Sequence, residues 1–287
     1  MRGITPYRQN YWDWRAAGNF MYGGTGSGLI VSSLLALAYG EPTLLHVLIG
    51  LVFMGTGLGL VWLEIGRPFR ALNVFLHPQR SWMTREGFVA TVAFGVGAAA
   101  MWFGHALLIA GTAALALLFL YCQAHILQAS KGIPAWREPT LAPLIIATGL
   151  TEGVAASLAL VSAAFTMTMV ALVVLLTLRA WSWRRYRLAS ETGMPTAAAR
   201  VLAAFSMPFL LLGHVLPLAL LIADMALGNR YPALTYFAAV LAFGSGWTFK
   251  FMVVRYAAQT QGFAIIHRPA RGPRGSGGEG VKPGWGS

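Results

Sequence analysis

The sequence predicts an all-α, polytopic membrane protein, and its composition and apolar periodicity support this prediction. Of the 287 residues, 57% are hydrophobic and only 10% are charged, whereas a soluble domain carries roughly 25% charged residues. Apolar stretches of about 20 residues recur along the chain, and each is long enough to cross a bilayer as a helix. The net charge of +12 does not indicate a nucleic-acid partner, because basic residues in a membrane protein record its orientation.

Eight apolar segments predict eight transmembrane helices, which we expect to form two four-helix bundles. The expected helices cover residues 17–40, 43–65, 85–104, 106–128, 141–163, 165–183, 199–224 and 232–256. Together they give one membrane domain over 1–262, followed by a flexible tail over 263–287 that is rich in Gly, Pro and Arg. Very short connections alternate with longer ones, which defines a short-loop face and a long-loop face. An even number of crossings places both termini on the long-loop face.

The basic residues predict how the protein is oriented. Twenty of the 21 Lys and Arg residues, Arg179 and Lys250 among them, are assigned to the long-loop face and its helix ends, and only Arg230 to the other. The positive-inside rule then predicts that the long-loop face is cytoplasmic, in a bacterial inner membrane. A docking surface for a partner protein would also concentrate basic residues on that face.

The single Cys122 excludes an internal disulfide and a cysteine-ligated iron–sulfur cluster in this chain.

The run GGTGSG, Gly23 to Gly28, superficially resembles a phosphate-binding loop. It follows no strand and lies inside the first predicted span. We therefore expect these small residues to allow close helix contact or ligand access.

Charged residues concentrate in EIGRPFRALNVFLHPQRSWMTREG, from Glu64 at the end of the second predicted helix to Glu86 at the start of the third. A carboxylate near a helix C-terminus is disfavoured, so Glu64 requires Arg67, Arg70 or a proton as its partner. A carboxyl group that exchanges a proton beside arginine and aromatic residues suits quinone reduction, which adds two electrons and two protons. The structural alternative is an arginine belt at the lipid headgroups, with Glu86 favourable in its first helical turn.

The same stretch resembles the signature of membrane anchor subunits of dimethyl-sulfoxide-reductase-type molybdenum and tungsten enzymes, the NrfD-like proteins. In that family an ionisable residue before a Gly-Arg-Pro motif ends the second helix, and a Ser-Trp motif followed by Arg-Glu opens the third. The segments AGNFMYGGTGSGL, from Ala17, and KGIPAWREPTLAP, from Lys131, also match. The opening NYWDWRAAGNF is similar to anchors of phenylacetyl-CoA:acceptor oxidoreductases.

The resemblance implies the quinone-reactive membrane anchor of a multi-subunit molybdopterin oxidoreductase. Such an anchor binds ubiquinone or menaquinone and exchanges electrons with an iron–sulfur subunit, here electrons from phenylacetyl-CoA oxidation. The iron–sulfur clusters and the molybdenum or tungsten pterin would belong to that subunit and to a molybdopterin catalytic subunit, and neither haem nor a catalytic metal is expected in this chain. The family's proton-handling residues map to Glu64 and Glu86, and its loop arginine to Arg70.

Further candidates surround this stretch. The expected quinone-binding residues, all near the long-loop ends of the first four helices, are Asn19, Tyr22, Arg67, Trp82, Tyr121, His125 and Gln128. The last three share one face of the fourth helix at i, i+4 and i+7, and Gln123 is expected to point elsewhere. A core histidine with satisfied hydrogen bonds is the alternative for His125.

Glu152 lies near the middle of the fifth predicted span, about 17 Å from its start. A carboxyl group there is costly unless it is protonated or meets polar partners, so a proton path and a hydrogen-bonded structural role are both open.

A rival function is a secondary transporter or proton-translocating protein that uses Glu152. It predicts broken helices, which only TGLTEG, Thr148 to Gly153, suggests. A second rival is a passive anchor without a quinone site.

Overall fold

The computed structural model describes residues 6–64, 75, 78–79, 81–190 and 193–261. Arg67, Arg70 and the predicted tail 263–287 lie outside these residues. The helices are α1 Trp14–Ala38, α2 Leu44–Glu64, α3 Trp82–Phe103, α4 Ala106–Ala129, α5 Pro134–Arg137, α6 Leu141–Ser157, α7 Phe165–Ser190, α8 Thr196–Leu210, α9 Leu216–Ala226 and α10 Pro232–Arg255. A π-helical segment, Leu211–Val215, joins α8 to α9. The predicted all-α class is confirmed.

Three helices begin where a polar side chain accepts a hydrogen bond from the first turn. Asp13 caps α1, Ser81 caps α3 and His105 caps α4. Such a cap satisfies one of the backbone N–H groups that a helix start leaves without an intrahelical partner. These caps fix where α1 and α3 begin, and both helices contribute to the candidate site.

Seven helices in the described part of the chain are long and apolar enough to cross a membrane. They are α1, α2, α3, α4, α7, the continuous run Thr196–Ala226 and α10. The protein is therefore membrane-embedded, but the prediction of eight such helices is wrong by one. The predicted span 141–163 forms a helix only over Leu141–Ser157, about 25 Å at 1.5 Å per residue. The backbone after Ser157 is irregular up to the start of α7, and it packs inward through Leu158, Val161 and Ala164.

Helix α1 packs against helices of both halves of the chain, which the sequence predicted to be two four-helix bundles. It packs against α2 and α4 of the first half and against α6 and α10 of the second. A Cβ on Gly153 of α6 would overlap the backbone of Gly28, and a Cβ on Gly26 would overlap that of Gly50 in α2. The glycine-rich run is thus part of α1 and lets its neighbours approach to backbone contact. The prediction of close helix contact is confirmed.

The two ends of the described chain meet on the long-loop face. Gln9 donates its backbone N–H to the Ala258 carbonyl at 2.9 Å, and Thr260 donates to the Tyr7 carbonyl at 2.8 Å. The indole of Trp136 in α5 donates to the Val253 carbonyl at 2.9 Å. These hydrogen bonds join the segment before α1, and the short helix α5 before α6, to the end of α10.

Two of the basic residues used to predict the orientation lie inside the helix bundle. Arg179 and Lys250 are both fully buried, so they do not contribute to the charge difference between the two faces. Each lies in a helical span five positions before the next arginine, and this position gave no sign that its side chain is buried. The cytoplasmic placement of the long-loop face remains a prediction from the other basic residues.

On the short-loop face Glu41 joins the connection after α1 to the segment that leads into α7. One carboxylate oxygen accepts hydrogen bonds from the hydroxyl and backbone N–H of Ser162 and from the N–H of Ala163. Burial alone would raise the pKa of Glu41, but these hydrogen bonds outweigh it and hold the pKa below its ordinary value. The contact also fixes the irregular backbone that follows α6.

We expect the Glu41 contact to make stability depend on pH. Because its pKa is lower folded than unfolded, the contact stabilises the protein above the ordinary carboxyl range and is lost as the pH falls through the folded pKa. The denaturant concentration at the unfolding midpoint is measured in detergent from neutral to acidic pH. As the pH falls, it should decrease more steeply for the native chain than for Glu41→Gln. Parallel curves for the two proteins would contradict this assignment.

Candidate functional site

A cleft of about 150 Å³ lies between α1, α2, α3 and α4 near their ends on the long-loop face. The residues that line it are Trp12, Ala16, Asn19, Phe20, Val61, Glu64, Met83, Glu86 and Ile126. Two carboxyl groups therefore face one mainly apolar space. The structure brings Glu64, Glu86 and Asn19 together here, although Glu64 and Glu86 are 22 positions apart in the sequence.

Glu86 is the inner carboxyl group of this cleft. Only 4% of its surface is exposed, because its position in the second turn of α3 turns it toward α1. The amide nitrogen of Asn19 donates to Glu86 Oε1 at 3.4 Å, a long hydrogen bond. A carboxyl group with so few partners and so little water is costly to keep charged. It is therefore suited to hold a proton and release it.

Gln123 holds Asn19 in place. Its side chain is fully buried, and its amide nitrogen donates to the Asn19 carbonyl at 2.9 Å. The sequence gave Gln123 no role, because it does not share the helical face of His125. The signal that could have identified it is an uncharged amide in an otherwise apolar span, which requires a hydrogen-bonding partner inside the bundle.

Glu64 is the outer carboxyl group, half-buried at the last residue of α2. Arg15 lies beside it and donates from Nη1 to the Leu63 carbonyl at 2.9 Å. Arg15 also pairs with Asp13 at 2.8 Å and thereby lowers the pKa of Asp13. A cation near the end of α2 offsets the negative end of the helix dipole. The sequence-based expectation assigned this role to Arg67 or Arg70, which lie outside the described residues.

Three of the predicted quinone-binding residues, Trp82, Tyr121 and His125, form an aromatic cluster beside the cleft. Trp82 lies 5.8 Å from Tyr121 and 4.6 Å from His125, between ring centroids, and the Arg85 guanidinium lies 4.3 Å from the centroid of the Trp82 ring. Tyr121 is 42% exposed, so this aromatic cluster faces outward from α3 and α4. The predicted common face of Tyr121 and His125 is present, but neither residue lines the cleft. The same holds for Trp82 and Gln128.

Tyr22 also lies away from the cleft. Its ring packs 5.4 Å from Phe53 and 4.9 Å from Trp247. The Trp247 indole donates to the Thr25 hydroxyl at 2.9 Å. Tyr22 therefore borders a second polar group deeper in the bundle.

Glu152 lies in that deeper group and is paired. Lys250 Nζ lies 2.6 Å from Glu152 Oε2, and the Thr25 hydroxyl donates to the same oxygen at 2.7 Å. Both charged side chains are fully buried. Glu152 Oε1 has no hydrogen-bond partner among the described residues. The sequence identified Glu152 but placed Lys250 at the membrane surface, because its position near the end of a span does not reveal the direction of its side chain.

Arg179 holds the π-helical segment in place. Its guanidinium donates to the Gly213 carbonyl, to the Ala242 carbonyl at 2.9 Å and to His214 Nε2 at 3.1 Å. Gly213 belongs to the π-helical segment and Ala242 to α10, so Arg179 ties both to α7. The broken helix expected of a transporter is absent at TGLTEG, which is continuous α-helix in α6, and the run Thr196–Ala226 changes to π-helix without a break.

The described residues contain no group of three or more His, Cys, Asp or Glu side chains that could hold a metal ion. A scan against protein-family models and a search of the curated proteins found no match to this chain. The resemblance to molybdenum-enzyme anchors therefore rests on the sequence motifs alone.

Proposed function

We propose that this protein is the membrane anchor of a multi-subunit oxidoreductase and that it binds quinone in the cleft between Glu64 and Glu86. The single observation that supports this most strongly is that one mainly apolar cleft receives both carboxyl groups. A cavity of about 150 Å³ accommodates a benzene-sized ring. The isoprenoid tail would leave through the open side of the cleft.

Each carboxyl group has a distinct task in this proposal. Quinone supplies two-electron chemistry, in which its two oxygens take up two protons. Glu86, buried and hydrogen-bonded to Asn19, holds a proton at the inner end of the cleft. Glu64, half-buried at the long-loop face, exchanges protons with water. Trp12 and Phe20, whose ring centroids are 6.1 Å apart, supply apolar surface for the ring.

The proposed partners follow from the resemblance to anchor subunits of molybdenum and tungsten enzymes. An iron–sulfur subunit would dock on the long-loop face, next to the cleft, and would connect it to a molybdopterin catalytic subunit. Phenylacetyl-CoA is the proposed source of electrons. With the predicted orientation, these subunits would lie in the cytoplasm.

Purification of the native complex and one substitution test the proposal. The chain should co-purify with redox subunits that contain iron, sulfur and molybdenum or tungsten, and an organic extract should contain quinone. In that complex Glu64→Gln should suppress quinone reduction, because glutamine cannot transfer a proton, and should preserve activity with a soluble artificial acceptor. Unchanged quinone turnover in this variant would overturn the role of Glu64.

The second candidate function is proton translocation or secondary transport through Glu152. The observation that favours it is the fully buried Glu152–Lys250 pair with one carboxylate oxygen unpartnered among the described residues. The same purification separates the two functions. A chain that purifies without redox subunits and moves protons or a solute into liposomes is a transporter.

A further inference from the structure

A separate cleft lies on the long-loop side between the start of α6 and the end of α7. It has a volume of about 150 Å³ and is lined by Pro139, Thr140, Pro143, Trp181, Ser182 and Arg185. Neither α3 nor α4 contributes to it, so it is distinct from the cleft that holds Glu64 and Glu86. The residue types combine a cation, two hydroxyl groups and an interfacial indole.

Two hydrogen-bond donors in this cleft lack partners within the described chain. Ser182 is only 6% exposed, yet its hydroxyl forms no hydrogen bond with a described residue, whereas Thr177 and Ser190 on the same helix donate to carbonyls of their own helix. The Arg185 guanidinium lies 4.9 Å from the centroid of the Trp181 ring. The ion pairs found among the described residues, Arg15–Asp13 and Lys250–Glu152, do not include it.

The other polar group at the cleft is already occupied. The Thr140 hydroxyl donates to Glu138 Oε1 at 3.2 Å. Glu138 itself does not line the cleft. Ser182 and Arg185 are therefore the groups that a ligand can use, and both donate hydrogen bonds. An acceptor-rich anion in the cleft can therefore accept hydrogen bonds from both side chains.

An apolar stripe on the outer surface of α7 leads to this cleft. Val170, Val174, Leu178 and Trp181 are 37%, 51%, 47% and 55% exposed. Their spacing of three and four positions puts them on one helical face, and Arg185 continues it. From Val170 to Arg185 the stripe is about 22 Å long, more than half of a hydrocarbon core of about 30 Å.

We propose that this cleft binds the phosphate of an anionic phospholipid, with an acyl chain along Val170, Val174 and Leu178. The planar guanidinium of Arg185 can donate two parallel hydrogen bonds to phosphate oxygens, and Ser182 donates a third from the wall. Basic pockets between transmembrane helices are suited to lipid headgroups. The apolar stripe favours a lipid over free phosphate, because only a lipid has an acyl chain that can cover it.

Native mass spectrometry of the full chain in detergent tests this proposal. The protein is titrated with phosphatidylglycerol and with phosphatidylcholine of the same acyl chains. We expect one preferential site for phosphatidylglycerol. Arg185→Gln should weaken it by about fivefold or more. The neighbouring Arg184, exposed and outside the cleft, provides the matched control, and Arg184→Gln should leave the affinity unchanged.

A further variant keeps the test decisive. Arg185→Lys retains the charge and should keep more of the affinity than Arg185→Gln. Equal losses in Arg184→Gln and Arg185→Gln would show non-specific attraction to a basic surface and overturn the proposal. Equal affinity for both lipids would overturn it as well. Displacement of the lipid by equimolar inorganic phosphate would identify a phosphate site without a lipid chain.

Discussion

Lys250→Met is expected to lower the free energy of unfolding by about 3–5 kcal/mol, because it leaves the carboxyl group of Glu152 buried without its partner. Lys250 Nζ lies 2.6 Å from Glu152 Oε2, and both side chains are fully buried. The remaining hydrogen bond from Thr25 cannot replace a neutralising charge. The measurement is unfolding of the purified chain in mixed detergent and denaturant.

The double variant shows whether the pair acts as a unit. Removing both charges with Glu152→Gln and Lys250→Met should recover much of the lost stability, because no unpaired charge then remains buried. Lys131→Met is the control, since Lys131 is exposed on the long-loop face, and it should change stability little. If Lys250→Met is as stable as Lys131→Met, then Glu152 and Lys250 do not form a pair in the folded protein.

Glu86→Gln should reduce quinone turnover of the purified complex by about 100-fold or more, the range for loss of a general acid or base. Glutamine keeps the volume of the side chain and an oxygen that can accept from Asn19, but it cannot exchange a proton. Glu86 is also more deeply buried than Glu64, so water cannot easily take over its role. Steady-state reduction of a short-tailed quinone measures the effect.

Two comparisons separate this effect from damage to the fold. Activity with a soluble artificial acceptor should remain at the native level, because that reaction does not use the cleft. Glu41→Gln makes the same chemical change on the opposite face, where Glu41 bonds to Ser162, and should leave quinone turnover intact. A normal quinone rate in Glu86→Gln would remove Glu86 from the proposed mechanism.

Hydropathy and composition by themselves determined the membrane-embedded helical class and most helix positions. The interior of a bilayer requires long apolar segments with internally satisfied backbone groups, so this information is local in sequence. The shortened α6 was missed because an apolar run does not reveal at which of its residues the helix ends. The residues after Ser157 remain apolar, yet contacts such as that of Ser162 with Glu41 allow them to leave the helix.

The candidate site was determined partly by sequence and partly by tertiary structure. The motif around Glu64 and Glu86 identified both carboxyl groups, since rare charges in an apolar chain stand out. Only the tertiary structure could show that Asn19 and Gln123 support Glu86, because the three residues belong to different helices. The outward direction of Tyr121 was likewise visible only there. The same limit explains Lys250, because the direction of a side chain depends on helix rotation, which is set by long-range packing rather than by local sequence.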